Sequence, residues 1–238
     1  MLLPDKKTRM ALGGSIADVV MYYDSLRKPV EKTGVVDDLL GADITGTCVN
    51  NAFVERGEGF RFDGASYASV DDTNFIEPTT KDFWFSLWFR MNSKPTALRG
   101  IFGQFYSATG DRWGLFQIND TPFRILCSAF PQAVVYSPTI SNADVAVDRW
   151  YHTGVIYDRS ASMRLYIDGE YIGGSSITSC SDSITPPVVP YIGCYPDGGR
   201  NPANYFDGDV DKIMYGVGGF AADKMQAIFN AQRHLFGV

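Results

Sequence analysis

The stretch Phe83-Trp84-Phe85-Ser86-Leu87-Trp88-Phe89-Arg90-Met91 decides the fold class. In an extended chain, successive side chains point to opposite faces. One face is then a wholly apolar row of Phe83, Phe85, Leu87, Phe89 and Met91. The other carries Trp84, Ser86, Trp88 and Arg90. Strict alternation of this kind marks a strand with one face turned to a core.

Similar runs lie on both sides of it. Phe60-Arg61-Phe62-Asp63-Gly64 alternates and ends in a turn pair. Strand-like segments follow at 99–105, 112–118, 123–127, 133–136, 150–158, 163–167, 190–194 and 205–217. Gly, Asp, Asn and Pro separate them at short intervals, the pattern of a sandwich or jelly roll. The 24 Gly, 12 Pro and 14% aromatic residues suit many short strands joined by turns. Strands do not alternate with helices, which argues against a parallel α/β sheet. From Phe83, Phe85, Leu87, Phe89, Trp150 and Phe206 we expect the core between two sheets. The chain ends in a helical pattern over 221–235, where Met225, Ile228 and Phe229 share one face.

Residues 1–56 read differently. Ser15-Ile16-Ala17-Asp18 has the form of a capping box, and Ile16, Val19, Val20 and Tyr23 follow at helical spacing. The helix should stop before Pro29, with a loop rich in Gly, Asp and Thr after it. A helix this short is marginal alone in water, so its apolar stripe must be covered by the sandwich or by another chain. The expected organisation is an assembly or anchoring segment over 1–56 and a β domain over 57–238, in a protein that is oligomeric or part of a complex. The anchoring residues would be Ile16, Val19, Val20 and Tyr23.

Charge and composition narrow the function. The chain has 238 residues and a net charge of −6. A nucleic-acid binder needs a basic surface to displace counterions from phosphates, and this balance is the opposite. No run of apolar residues is long enough to span a bilayer. The opening Met1-Leu2-Leu3-Pro4-Asp5-Lys6-Lys7 lacks the long apolar stretch of a signal peptide, so synthesis in the cytoplasm is expected. Cys48, Cys127, Cys180 and Cys194 are widely spaced, without a C-x-x-C pair, and read as free thiols. Two histidines, His152 and His234, are too few for a multi-histidine metal centre. There is no Gly-x-Ser-x-Gly elbow and no phosphate-binding glycine loop.

Four motifs, in order, resemble the laminin G-like and concanavalin A-like jelly-roll superfamily. They are Gly59-Phe60-Arg61-Phe62-Asp63-Gly64 with Ser66-Tyr67; the 83–89 strand; Trp150-Tyr151-His152 to Tyr157-Asp158 with Leu165-Tyr166-Ile167-Asp168-Gly169; and Ile192-Gly193 with Phe206-Asp207-Gly208-Asp209-Val210-Asp211. They cover roughly residues 57–235. The resemblance implies an all-β, two-sheet concanavalin A-like sandwich, with residues 1–56 as a helical appendage and a short closing helix.

The resemblance also frames the candidate sites. Asp207, Asp209 and Asp211 share one strand face. Paired carboxylates can perform acid/base work on a glycosidic bond. However, the Glu-x-Asp-x-(x)-Glu strand motif of some family glycosidases is absent, and the residues fit the family's ordinary closing strand better, so no catalytic residue is assigned. The family often holds a structural Ca²⁺ near its opening and closing strands. Asp209 and Asp211, and after them Asp63, would be its ligands; otherwise these aspartates form turns and solvated edges. A glycan-binding surface would draw on Trp84, Trp88, Arg90, Trp113 and Tyr195, although Trp88 sits where the family places a core tryptophan. The expected function is a non-enzymatic recognition or structural subunit of a large assembly, a phage or viral particle component displaying a lectin-like domain. A free carbohydrate-binding protein and a glycan hydrolase or lyase are the alternatives.

Overall fold

The computed structural model describes residues 21–23, 35–37, 45–55, 59–70, 77–105, 112–118, 124–130, 145–178, 180, 182–184, 186, 188–197 and 201–238. The strands are Met21–Tyr22 (β1), Val35–Asp37 (β2), Thr45–Val49 (β3), Phe53–Glu55 (β4), Gly59–Asp63 (β5) and Tyr67–Val70 (β6). Phe83–Met91 (β7), Arg99–Phe105 (β8), Arg112–Ile118 (β9), Arg124–Phe130 (β10), Trp150–Tyr157 (β11) and Ser162–Ile167 (β12) follow. The series ends with Glu170–Ser176 (β13), Tyr191–Ile192 (β14), Tyr195–Pro196 (β15), Pro202–Ala203 (β16) and Asp207–Val217 (β17), then helix Ala222–Gln232 (α1) and a 3-10 turn over Arg233–Leu235.

The strands form two large antiparallel sheets. One runs β13-β12-β11-β7-β17-β5-β4, with β1 also on β17, and the other runs β10-β9-β8-β14-β6-β3-β2. This is the expected jelly-roll sandwich with its closing helix. Phe83, Phe85, Leu87 and Phe89 are fully buried in the core between the sheets, as is Phe206. Phe83 stacks on Tyr157 at 4.0 Å between ring centroids, and Phe85 meets Phe102 of the other sheet edge-on at 5.4 Å. Asp168 and Gly169 both take positive φ, 50° and 79°, and close the β12–β13 hairpin.

Trp150 departs from expectation. It pairs across from Arg90, which puts it on the outer face, and its neighbour Tyr151 takes the place in the core. β11 is buried along its whole length, so apolarity alone did not tell its two faces apart.

The N-terminal boundary also needs correction. β3 and β4 lie within 1–56 yet belong to the two sheets, β3 on β6 and β4 on β5. A boundary at residue 56 would divide a pair of hydrogen-bonded strands. Cys48, Ala52 and Val54 are core residues. Ile16, Val19 and Val20 lie outside the described residues. Tyr23 is not on a surface stripe: Met21–Tyr22 is a strand paired with β17, and the Tyr23 amide donates to the Ile213 carbonyl at 2.9 Å. Its ring is buried against Phe60, edge-on at 5.8 Å. The helical spacing of positions 16–23 therefore does not extend to their last residues. The pairing edge that β17 offers beyond β5 claims them instead.

Candidate functional site

The outer face of the β7-containing sheet divides into two zones. The first lies beneath α1. Met225 and Ile228 press down from the helix onto Trp84, Ile156 and Met214. Trp84 stacks on Phe220 at 3.9 Å, and Trp88 stacks on Phe236 at 4.1 Å. Both indoles are fully buried. Trp113 is equally buried in the inter-sheet core, where its Nε1 donates to Gln104 Oε1 at 2.6 Å. None of these three tryptophans can meet a sugar. Tyr195 is half-buried at the other sheet, against Phe105 at 4.8 Å and Phe116 at 5.8 Å. The expected platform of Trp84, Trp88, Arg90, Trp113 and Tyr195 is therefore dispersed over two faces and a core, and only Arg90 lies near the site described next.

The second zone lies beyond the helix. Strand register lines up Phe53, Arg61, Asp209, Arg90 and Trp150 as one row across five strands. Asp209, at its centre, is fully buried. Arg61 Nε lies 3.1 Å from Asp209 Oδ1. Arg90 approaches Oδ2 with Nη2 at 2.9 Å and Nε at 3.0 Å. The far side of Arg90 covers the Trp150 ring, 5.1 Å from its centroid.

Calcium held by Asp209, Asp211 and Asp63 would require the three to gather at one point. Ca²⁺ requires six to eight oxygens converging on one point. Asp209 instead presents both oxygens to guanidinium groups, which would repel a dication. Asp211 lies two residues along, roughly 6.5 Å away at the rise of a strand, and its Oδ1 accepts from the Lys212 amide at 2.8 Å. Asp63 lies in the next row outward. The three share a face, as alternation requires, but each occupies a different row. Among the described residues, no group of three acidic, His or Cys side chains converges.

The outermost row forms the site. Asp63 and Asp207 stand directly opposite each other on β5 and β17. Asn51 Nδ2 donates to Asp63 Oδ2 at 3.1 Å, and the Ala65 amide donates to Oδ1 at 3.1 Å. Asn92 Nδ2 donates to Asp207 Oδ1 at 3.2 Å, and Ser93 Oγ donates to Oδ2. Burial alone would push the Asp63 carboxyl up, but side-chain hydrogen bonds from Ser66 and Asn51 and the Ala65 amide outweigh it and hold Asp63 below its usual range. Asn51, Phe53, Arg61, Asp63, Asn92 and Asp207 line an open groove of about 410 Å³. A second groove of about 240 Å³, with Lys94, Arg99 and Tyr205, adjoins it across Asp207.

The walls mix acceptors (two carboxylates) with donors (two amides and a guanidinium) and add the partly exposed ring of Phe53. A ligand rich in hydroxyls, each both donor and acceptor, matches such a surface. Sequence reasoning missed Asn51, Phe53, Arg61, Asn92 and Asp207 as a group. Asp207 carried a signal, since it alternates with Asp209, but its partners come from β4, β5 and the end of β7, and only pairing assembles them.

A family model described as the concanavalin A-like lectin/glucanases superfamily matches residues 62–215. No curated protein matches by sequence. Among solved structures, the botulinum neurotoxin serotype D binding domain superposes with a TM-score of 0.63 at 11% identity, covering 93% of this chain and 53% of that one. The serotype D ligand binding domain in complex with N-acetylneuraminic acid gives 0.64 at 10% identity, with 93% and 53% covered. Trypanosoma rangeli sialidase gives 0.63 at 17% identity, with 93% and 34% covered. The chain thus spans about half of the neurotoxin domains and a third of the sialidase. At these identities the likeness is one of fold.

Proposed function

The chain belongs to the concanavalin A-like lectin/glucanase superfamily, and from that premise we propose that it is a non-enzymatic carbohydrate-recognition domain whose binding site is the groove between Asp63 and Asp207. The observation that carries this reading is the pairing of two exposed-row carboxylates, each braced by amide or hydroxyl donors, across an open polar groove bordered by an aromatic ring. Bracing of this kind holds acceptors in place for a ligand's hydroxyls, and pre-organised polar groups fix orientation in a binding site.

Binding is favoured over hydrolysis by the state of the same groups. A glycosidase needs one carboxyl kept protonated to serve as acid, through a raised pKa. Asp63 is held in the opposite direction by its donors. Asp209, on the same face, is paired with Arg61 and Arg90.

The setting we propose is display on a larger assembly, such as a phage or viral particle. Co-purification with intact particles tests the setting. The binding role is tested on a glycan array with the wild-type chain and Asp207→Ala. Binding to a defined set of glycans, weakened roughly ten-fold or more in the variant, is expected for loss of a charged hydrogen-bonding partner. Absence of glycan binding, or undiminished binding by the variant, overturns the assignment.

A further inference from the structure

We infer that the groove selects uncharged sugars and refuses those carrying a carboxylate. This deepens the proposed function and rests on it. Among the described residues, five charged side chains lie at the groove itself, Asp63, Asp207 and Arg61 on its walls with Asp209 and Arg90 behind Arg61, while Lys94 and Arg99 line the adjoining groove on the other side of Asp207. Arg61 is the cation on the groove wall, but its Nε faces the buried Asp209, whose second oxygen is held by Arg90. Two guanidinium charges therefore stand against three carboxylates. The group is negative by one, and the two carboxylates not paired with arginine, Asp63 and Asp207, are the ones facing the ligand.

An anionic sugar seated here would bring its carboxylate against Asp63 and Asp207. Arg61 keeps its Nε on the fully buried Asp209, so an incoming carboxylate would reach only its Nη groups, and the charge they carry is already offset by Asp209. A neutral sugar meets no such conflict: its hydroxyls donate to the two aspartates and accept from Asn51 and Asn92. Discrimination by a repulsive element costs the preferred ligand nothing and the wrong ligand much.

The test uses the full chain on an array carrying lactose-terminated glycans, the same glycans capped with N-acetylneuraminic acid, and neutral cello-, malto- and chito-oligosaccharides. Neutral ligands should bind, and the sialylated counterparts should bind at least roughly ten-fold more weakly, since like charges brought together oppose association. In Asp63→Asn/Asp207→Asn, whose amides keep the shape of the site, that gap should close. A salt titration of the unaltered protein gives an independent reading: the gap should narrow as ionic strength rises, because an open groove is screened. Equal or tighter binding of the sialylated forms overturns this inference while leaving carbohydrate recognition intact. A gap that survives both the double substitution and high salt also overturns it. Binding of no glycan of either kind overturns the proposed function and this inference with it.

Discussion

The Nε1 of Trp88 donates to Oε1 of Gln232 at 2.7 Å, linking the centre of β7 to the last turn of α1 across 144 residues of sequence. Both groups are buried, so the bond is enclosed by the Phe229 and Phe236 rings that flank the indole. Gln232→Leu should remove the acceptor and strand the indole N–H, at about 1–3 kcal/mol of stability. Urea denaturation measures it, and a midpoint unchanged from wild type would mean that the helix end is not held by this bond.

His152 lies in the same layer. Its Nε2 is 2.8 Å from Ser86 Oγ, and burial pushes its pKa down to about 3. The folded state therefore keeps the ring neutral while the unfolded chain protonates near 6.5. Because the unfolded state binds the proton more readily, this contribution is fully present above pH 6.5 and is lost as pH falls toward 3. Between pH 7 and pH 5 the loss should be about 2 kcal/mol. Melting curves across that range should flatten in His152→Gln relative to wild type.

Asp209→Asn should destabilise the chain by roughly 2 kcal/mol. Removing one partner of a buried pair is costlier when both groups are enclosed, but Arg61 and Arg90 retain 37% and 25% side-chain exposure and can turn to water. Chelator and added Ca²⁺ should leave the melting temperature of both proteins unchanged. A chelator-sensitive transition restored by Ca²⁺ would contradict the arginine pairing described for this carboxylate.

Deletion of residues 1–56 should prevent formation of a native domain. The deletion removes β3 and β4, and with them Tyr23, Cys48, Ala52 and Val54 from the core. Near-ultraviolet circular dichroism of the truncated chain should lose its fixed aromatic signal. A soluble product with the wild-type spectrum would show that the sandwich closes without these strands.

The sequence made one face of β7 legible because alternation over Phe83 to Met91 is unbroken, and the Asp168-Gly169 turn was legible because positive φ favours those residues. The opposite face was not. Trp84 and Trp88 alternate as exposed aromatics would, and only the docking of α1 decides that they are covered. Neither does a single strand announce its neighbours. Asp63, Asp207, Asn51 and Asn92 come from segments far apart in the chain, and register, a property of pairs, brings them to one groove. β3, β4 and β1 were hidden for a similar reason, since short strands carry too few residues for a period to emerge from the sequence.

β17 lies at the centre of its sheet, between β7 and β5. Among the described strands it is also the last in chain order, and so the last of them to be synthesised. Until it emerges, the strands on either side of it have no common neighbour and expose unpaired edges and apolar rings. A nascent chain therefore cannot complete this sheet progressively from its N-terminus. Closure awaits long-range pairing, which makes folding slow and leaves the growing chain open to aggregation. Premature termination shortly before residue 207 should thus yield insoluble material and not a smaller folded domain.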